Sequence, residues 1–134
     1  MDTGKSALGL DGNIAAALGY PIGIIAIICL IMEKENRFVK FHALQSLLWH
    51  AAYIVVIIAL MILGAIIGMV GVAASAASSS AGAGIGLIGM LIWLLWLLFF
   101  FGYLIMLILA AVKAYGGADY KLPIVGNMAE KWIK

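Results

Sequence analysis

The fold is decided by the uncharged run FHALQSLLWHAAYIVVIIALMILGAIIGMVGV, residues 41–72. An α-helix rises about 1.5 Å per residue, so about 20 apolar residues cross the ~30 Å hydrocarbon core of a bilayer. This run is longer than one crossing requires, and a longer helix tilts or projects into the interface. We therefore predict a transmembrane helix over residues 44–72.

Two further apolar runs flank this one, Gly12 to Met32 before it and Gly84 to Val112 after it. They predict transmembrane helices over 12–32 and 86–112. The whole chain is 66% hydrophobic and 10% charged, whereas a soluble domain is roughly 25% charged. We predict an all-α integral membrane protein, a single domain over residues 1–134 with three transmembrane helices. A helical hairpin with a re-entrant third segment is the alternative.

The distribution of positive charge predicts the orientation in the membrane. Seven Lys or Arg lie in the connection 33–43 and the tail 113–134, against Lys5 alone before the first run. Positive residues favour the cytoplasmic side. We therefore predict a multi-pass cell-membrane protein with its N-terminus outside and its connection and tail in the cytoplasm. The uncharged small-residue stretch 73–83 is predicted to be a flexible external linker.

The second predicted helix places its polar and its small residues on one face. At about 100° per residue, the face collects His42, Gln45, Ser46, His50, Tyr53, Gly64, Gly68 and Gly71. Polar groups in hydrocarbon face protein or water, and small residues let helix backbones approach. This face is the candidate interaction or pathway face. A similar stripe on the third helix runs through Gly82, Gly86, Gly89, Trp93, Trp96, Phe100 and Tyr103. In the first helix, Pro21 predicts a kink.

No Asp, Glu, Lys or Arg lies inside a predicted span, which argues against acid–base or metal-assisted catalysis in the bilayer. We expect a protein that is not an enzyme, binds no metal and no nucleic acid, and needs no cofactor. His50 is the one ionisable side chain well within a span. It is hydrogen-bonded to a neighbouring helix, or it acts as a proton relay or as an axial ligand to haem or to a pigment.

The two cytoplasmic segments mix basic, aromatic and apolar residues. In the tail, Gly116 and Gly117 end the third helix, and a short amphipathic piece over Asn127 to Ile133 follows. Both segments are suited to anchoring at the membrane surface. Alternatively, they pack together into one docking surface.

These segments resemble a known family. The run EKENRFVKFHALQSLLW, residues 33–49, and the run AYGGADYKLPIVGNMAEKW, residues 114–132, resemble signatures of prokaryotic membrane proteins related to the Tic-type chloroplast import component. The resemblance implies a compact helical membrane domain and, in the plastid member, a role in protein import. The plastid protein has four spans where this chain is predicted to have three. The signature positions are Asn36, Arg37, Phe38, Phe41, His42, Ala43, Gln45, Ser46, Tyr120, Pro123 and Gly126.

Three functions are open from the sequence. The first is a non-enzymatic membrane scaffold or accessory subunit of Tic-type ancestry, whose partners are the lipid bilayer and other membrane proteins or a second copy. The second is a translocation or small-solute permeation component, with the polar stripe from His42 to Tyr53 lining a wet cytoplasmic vestibule. The third is a haem- or pigment-binding subunit of an electron-transfer complex that uses His50. The sequence names no partner, substrate or oligomeric state.

Overall fold

The computed structural model describes residues 3–133, and every regular element of at least three residues in that range is a helix. The five helices are α1 (Gly12–Leu18), α2 (Gly23–Met32), α3 (Arg37–Ala77), α4 (Ser79–Tyr115) and α5 (Val125–Trp132). The all-α prediction is confirmed. Two of the helices, α3 and α4, are long and apolar enough to cross a membrane.

The helix α3 begins at Arg37, before the predicted span, because Asn36 caps it. The Oδ1 atom of Asn36 accepts a hydrogen bond from the Val39 amide at 3.2 Å, which satisfies one of the amides that a helix N-terminus leaves unpaired. The Nδ2 atom of Asn36 donates to the carbonyl of Thr3 at 2.7 Å. The connection predicted over 33–43 is therefore helical in its second half.

The predicted flexible linker over 73–83 is wrong. Helix α3 continues to Ala77 and α4 begins at Ser79, so only Ser78 separates them. Alanine is the best helix former, and the Ser75 hydroxyl donates back to the Gly71 carbonyl at 2.8 Å, as serine does within helices. Small side chains alone do not make a segment flexible, because alanine and serine are compatible with a helix.

The single continuous helix predicted over 12–32 is also wrong. Helix α1 ends at Leu18 and α2 begins at Gly23, with Pro21 in the break, where its missing N–H interrupts the helical hydrogen bonds. The two helices fold against each other as a hairpin, and Ala15 of α1 shares a buried cluster with Ala26 and Cys29 of α2. Pro21 therefore lies at a chain reversal and not at a kink.

The segment before α1 closes this hairpin at its open end. The Ala7 amide donates to Glu33 Oε2 at 2.7 Å, and Asn36 Nδ2 donates to the Lys5 carbonyl at 3.2 Å. The hairpin thus starts and ends at one place. The Lys5 carbonyl and the connection after α2, which were expected on opposite sides of the bilayer, are joined by a hydrogen bond in this structure.

The chain divides into two compact units. The first unit comprises the described chain up to Ala52 and from Leu104 onward, and the second is Tyr53–Tyr103. The first unit holds the hairpin, the start of α3, the end of α4 and helix α5. The second holds the apolar middle of α3 and of α4 with the turn at Ser78. Each unit contains one feature of functional interest.

Candidate functional site

The first unit is organised around four buried polar side chains. They are Tyr20 from the hairpin and His42, Gln45 and Ser46 from α3, and each has a relative exposure of 0%. Buried polar groups are costly unless they are hydrogen-bonded. Among the described residues, no buried side-chain nitrogen or oxygen lacks a hydrogen-bond partner. We call these four residues the polar network.

The hydrogen bonds of the polar network fix the state of His42. Its Nε2 atom lies 3.2 Å from the Ala118 carbonyl, which is an acceptor only, so Nε2 carries the proton. The Tyr20 hydroxyl, 2.9 Å from Nδ1, then donates to the unprotonated Nδ1 of a neutral ring. The Tyr20 oxygen in turn accepts from Gln45 Nε2 at 2.6 Å. His42 therefore acts as a neutral structural bridge between the hairpin and the tail.

Gln45 ties α3 to the tail through backbone groups. Its Nε2 donates to the Tyr120 carbonyl at 3.0 Å, and its Oε1 accepts from the Leu122 amide at 3.0 Å. Gly126 of α5 packs directly against it, since a Cβ at that position would lie 2.6 Å from Gln45 Oε1 and 2.9 Å from the Lys121 Cα. The close approach explains a glycine at 126.

Two further bonds attach the hairpin to the long helices. The Ser46 hydroxyl donates to the Gly19 carbonyl at 2.7 Å, a group at the C-cap of α1 that lacks a helical partner of its own. The Asn13 Nδ2 donates to the Tyr115 carbonyl at 2.8 Å, at the last residue of α4. The hairpin, both long helices and the tail therefore form one hydrogen-bonded assembly.

Aromatic rings enclose His42. Phe38 and Phe41 contact it edge-on, with ring centroids 4.5 Å and 5.0 Å away. Beside these rings, Arg37 lines a small cavity of about 80 Å³ with Asp119, Lys121 and Glu130 of the tail. Pro123 and Ile124 form the tight turn before α5, where the Val125 amide donates to the Pro123 carbonyl at 2.7 Å.

The structure separates the two ends of the predicted face. His42, Gln45 and Ser46 are buried against protein, so the idea that they line a wet vestibule is wrong. His50 Nδ1 donates to the Ser46 carbonyl at 2.7 Å within its own helix. Tyr53, in the second unit, stacks on Tyr103 with centroids 3.9 Å apart. A ligand role for His50 stays a prediction.

The glycines of the face lie in the second unit, along an open groove. At Gly64, Gly68, Gly86 and Gly89 a Cβ would meet no atom within 4 Å. We call the groove of about 360 Å³ beside them the glycine groove. Its lining comprises Gly64, Ile67, Gly68, Gly71, Val72, Ser75, Gly82, Ile85, Gly86, Gly89 and Ile92. A second apolar groove of about 380 Å³ shares Gly64 and Gly89 and is lined also by Trp93 and Trp96.

The two long helices contact each other at both ends of the second unit. Near the turn at Ser78, a Cβ on Gly71 would lie 3.2 Å from Ile85, and one on Gly82 would lie 2.9 Å from the Ser75 Cβ, so the helices already touch there. At the other end of this unit Tyr53 stacks on Tyr103. Between these contacts, the positions of Gly64, Gly68, Gly86 and Gly89 stay open.

Sequence reasoning missed Tyr20, Asn13 and Glu33 as members of the site. Glu33 is buried to 5% exposure and accepts from the amides of Ala7 and Asn36. A signal existed for Tyr20, because it is the only hydroxyl in the first apolar run and stands next to Pro21. A polar group in an apolar run needs a partner, and the polar residues of α3 were the candidates.

Comparison with known proteins assigns the family. A model described as the magnetosome magnetite crystal formation protein family, MamF/MmsF, matches residues 7–129. The chain belongs to this MamF/MmsF family. Among its relatives are UPF0132 membrane proteins of Methanocaldococcus jannaschii, 34% identical over 96% of this chain and 94% of the relative, and of Archaeoglobus fulgidus, 36% identical over 90% and 94%. No solved structure matches the chain.

Membership of the MamF/MmsF family corrects the resemblance drawn from the sequence. The match covers both segments that suggested a Tic-type import component, residues 33–49 and most of 114–132, and relatives named as UPF0132 membrane proteins match at 34% and 36% identity. The Tic-type assignment is wrong, and the import role that it implied has no support from the comparisons. The prediction of a membrane protein agrees with the names of the relatives.

The residues quoted for that resemblance nevertheless share one place in this structure. His42, Gln45, Ser46, Tyr120 and Gly126 meet at the polar network. Their spacing in the sequence reflects a packing requirement of the first unit.

Proposed function

We propose that this protein is a non-enzymatic membrane scaffold that assembles with further copies of itself through the glycine groove. The observation that carries the proposal is a groove lined by the glycines of both long helices that neither helix fills. Apolar surface gains little by leaving lipid, so helices in membranes associate where small residues permit close packing.

The occupant we propose is the α4 helix of a second copy. A leucine stripe on α4, formed by Leu87, Leu91, Leu94 and Leu98, is 47–70% exposed. At about 100° per residue it lies on the side of α4 opposite Gly86 and Gly89. The leucine stripe and the glycines that α4 gives to the groove both lie in the second unit. They occupy overlapping stretches of α4. The leucines of one copy can therefore serve as knobs for the groove of the next.

A groove and a knob on opposite sides of one helix make a head-to-tail contact. Such heterologous contacts generate rings or open arrays and not closed dimers. A protein that assembles in this way acts as a scaffold. The family description, magnetite crystal formation, and the names of the archaeal relatives, membrane proteins, are both compatible with a membrane scaffold.

The first unit supports a structural function as well. The polar residues that could act chemically, His42 and Gln45, have their donors and acceptors occupied by Tyr20, the tail carbonyls and the Leu122 amide. They hold the hairpin, α3 and the tail together, which is a structural role.

The test is the change Gly68→Leu. A leucine there fills the groove from within, so we expect the particle in mild detergent to fall from an oligomer to the 14.2 kDa chain, as measured by light scattering behind size exclusion. The matched control is Gly102→Leu, the same change at another open position outside the groove, which should leave the size unchanged. An unchanged oligomer in Gly68→Leu, or equal loss in both variants, refutes the proposal.

A further inference from the structure

The α1–α2 hairpin is apolar, but its helices are short. Its helices have 7 and 10 residues, which correspond to about 10 Å and 15 Å, against a hydrocarbon core of ~30 Å. Neither can cross a bilayer. Glu33 accepts a hydrogen bond from the Ala7 amide, and Asn36 donates one to the Thr3 carbonyl, so the two ends of the hairpin lie next to each other.

The outer face of α2 is aliphatic along its whole length. Ile24, Ile27 and Ile31 form one stripe with exposures of 65%, 46% and 74%, while Ala26 and Cys29 on the other side are buried in the hairpin. No charged or polar side chain lies between Gly23 and Met32 other than the buried Cys29 thiol. A contact surface for a soluble protein carries a polar rim, and this face has none.

The depth of the hairpin follows from its contacts with α3. The tip of the hairpin, at Gly19 and Tyr20, bonds to Ser46 and His42. Ser46 lies nine residues beyond Arg37, the first residue of α3, which is about 13 Å along the helix. The half-thickness of the hydrocarbon core is about 15 Å, so the tip reaches no further than the midplane.

Helix α5, in the same unit, also has an exposed apolar surface. It is amphipathic, and Ile124, Met128 and Trp132, at its start and along it, are 78%, 37% and 63% exposed. Lys121 and Lys131 flank this apolar side. A short helix with an apolar face, a tryptophan and lysines is suited to lie in the plane of the membrane interface.

We propose that the α1–α2 hairpin is inserted into a single leaflet, with its isoleucine stripe against lipid acyl chains and both of its ends on the cytoplasmic face. Every described Lys and Arg then lies at that face, since residues 41–112 contain none and the turn at Ser78 carries none. Positive residues favour the cytoplasmic side. Three crossings would leave Lys5 outside, whereas the inserted hairpin places it with the other positive residues. The membrane contains two crossings, α3 and α4.

The topology is tested by labelling single cysteines from either side of the membrane. The native Cys29 is buried and unpaired, so Cys29→Ala provides a background for Lys5→Cys, Ser80→Cys and Lys131→Cys in the full chain. A membrane-impermeant maleimide should label Lys5→Cys and Lys131→Cys in inside-out vesicles only. It should label Ser80→Cys in intact cells only. Labelling of Lys5→Cys and Ser80→Cys from one side overturns the proposal, because the first segment would then cross the bilayer.

The lipid contact is tested by a nitroxide spin label at Ile27→Cys in the same background, in liposomes containing anionic lipid. The label should relax several-fold faster with oxygen, which partitions into the hydrocarbon, than with a water-soluble nickel chelate. The matched site Lys34→Cys, just beyond α2, should show the reverse. Faster relaxation with nickel at Ile27→Cys, or protection from both reagents by a protein partner, contradicts insertion among acyl chains. A variant is accepted only if it elutes at the size of the Cys29→Ala protein.

Discussion

Gln45→Leu tests how much the polar network contributes to the stability of the first unit. Leucine has a similar size, so the change leaves packing nearly intact and removes three hydrogen bonds. The Leu122 amide, in a residue 1% exposed, then loses its partner, and the Tyr120 carbonyl loses a donor in a partly exposed place. An orphaned buried group costs about 1–3 kcal/mol. The Tyr120 carbonyl is partly exposed and costs less than the buried amide. We therefore expect Gln45→Leu to lower the free energy of unfolding by about 2–4 kcal/mol.

The assay is reversible unfolding in mixed micelles, combined with limited proteolysis after Lys121. Loss of the bonds from Gln45 frees the tail, so we expect cleavage there to accelerate along with the fall in stability. Tyr20→Phe in the same background completes a double-mutant cycle. Because Tyr20 and Gln45 share a hydrogen bond of 2.6 Å, the two changes should be non-additive by about 0.5–3 kcal/mol. A Gln45→Leu protein within 0.5 kcal/mol of the parent, with a protected tail, refutes the reasoning.

Two substitutions at the start of α5 have opposite expected signs. Gly126→Ala should destabilise the protein by about 1–3 kcal/mol, because its Cβ would lie 2.6 Å from Gln45 Oε1 and 2.8 Å from the Lys121 Cβ. Thermal unfolding measures the loss, and an unchanged midpoint would show that the contact relaxes at no cost. Ile124→Gly should stabilise by about 1 kcal/mol, because Ile124 has φ 64°, where a β-branched residue is strained. The control Ile124→Ala keeps a Cβ at that φ, and an equal gain from alanine would contradict the explanation by strain.

The sequence was informative where composition alone decides structure. The uncharged runs over 44–72 and 86–112 identify two helices that the structure contains within longer ones, Arg37–Ala77 and Ser79–Tyr115. Hydrocarbon excludes charge, so the absence of charged residues marks such helices without knowledge of their neighbours. The same criterion did not predict the break in residues 12–32, because the two short helices of a hairpin can be as apolar as one long helix.

The reversal at Pro21 depends on partners far away in the sequence. Proline at that position permits a kink or a complete break, and only the bonds from Tyr20 to His42 and from Ser46 to Gly19 decide between them. Those partners are separated by 22 and 27 residues. A helical projection shows which residues of α3 share a face. It does not show that the part of this face with His42, Gln45 and Ser46 packs on protein, whereas the glycines stay open. That difference is set by the hairpin and the tail.

The order in which the chain is made has a consequence for the polar network. The acceptors and donors of the tail, at Ala118, Tyr120 and Leu122, are separated from His42 and Gln45 by 75–77 residues. They leave the ribosome only after both long helices have been synthesised. Until then His42 and Gln45 have no partners in the tail, and the hairpin has no contact with Tyr115. The hydrogen bonds of the first unit can therefore be completed only after all of α4 has been made, and a chain that stops before Ala118 lacks the tail groups that His42 and Gln45 bind.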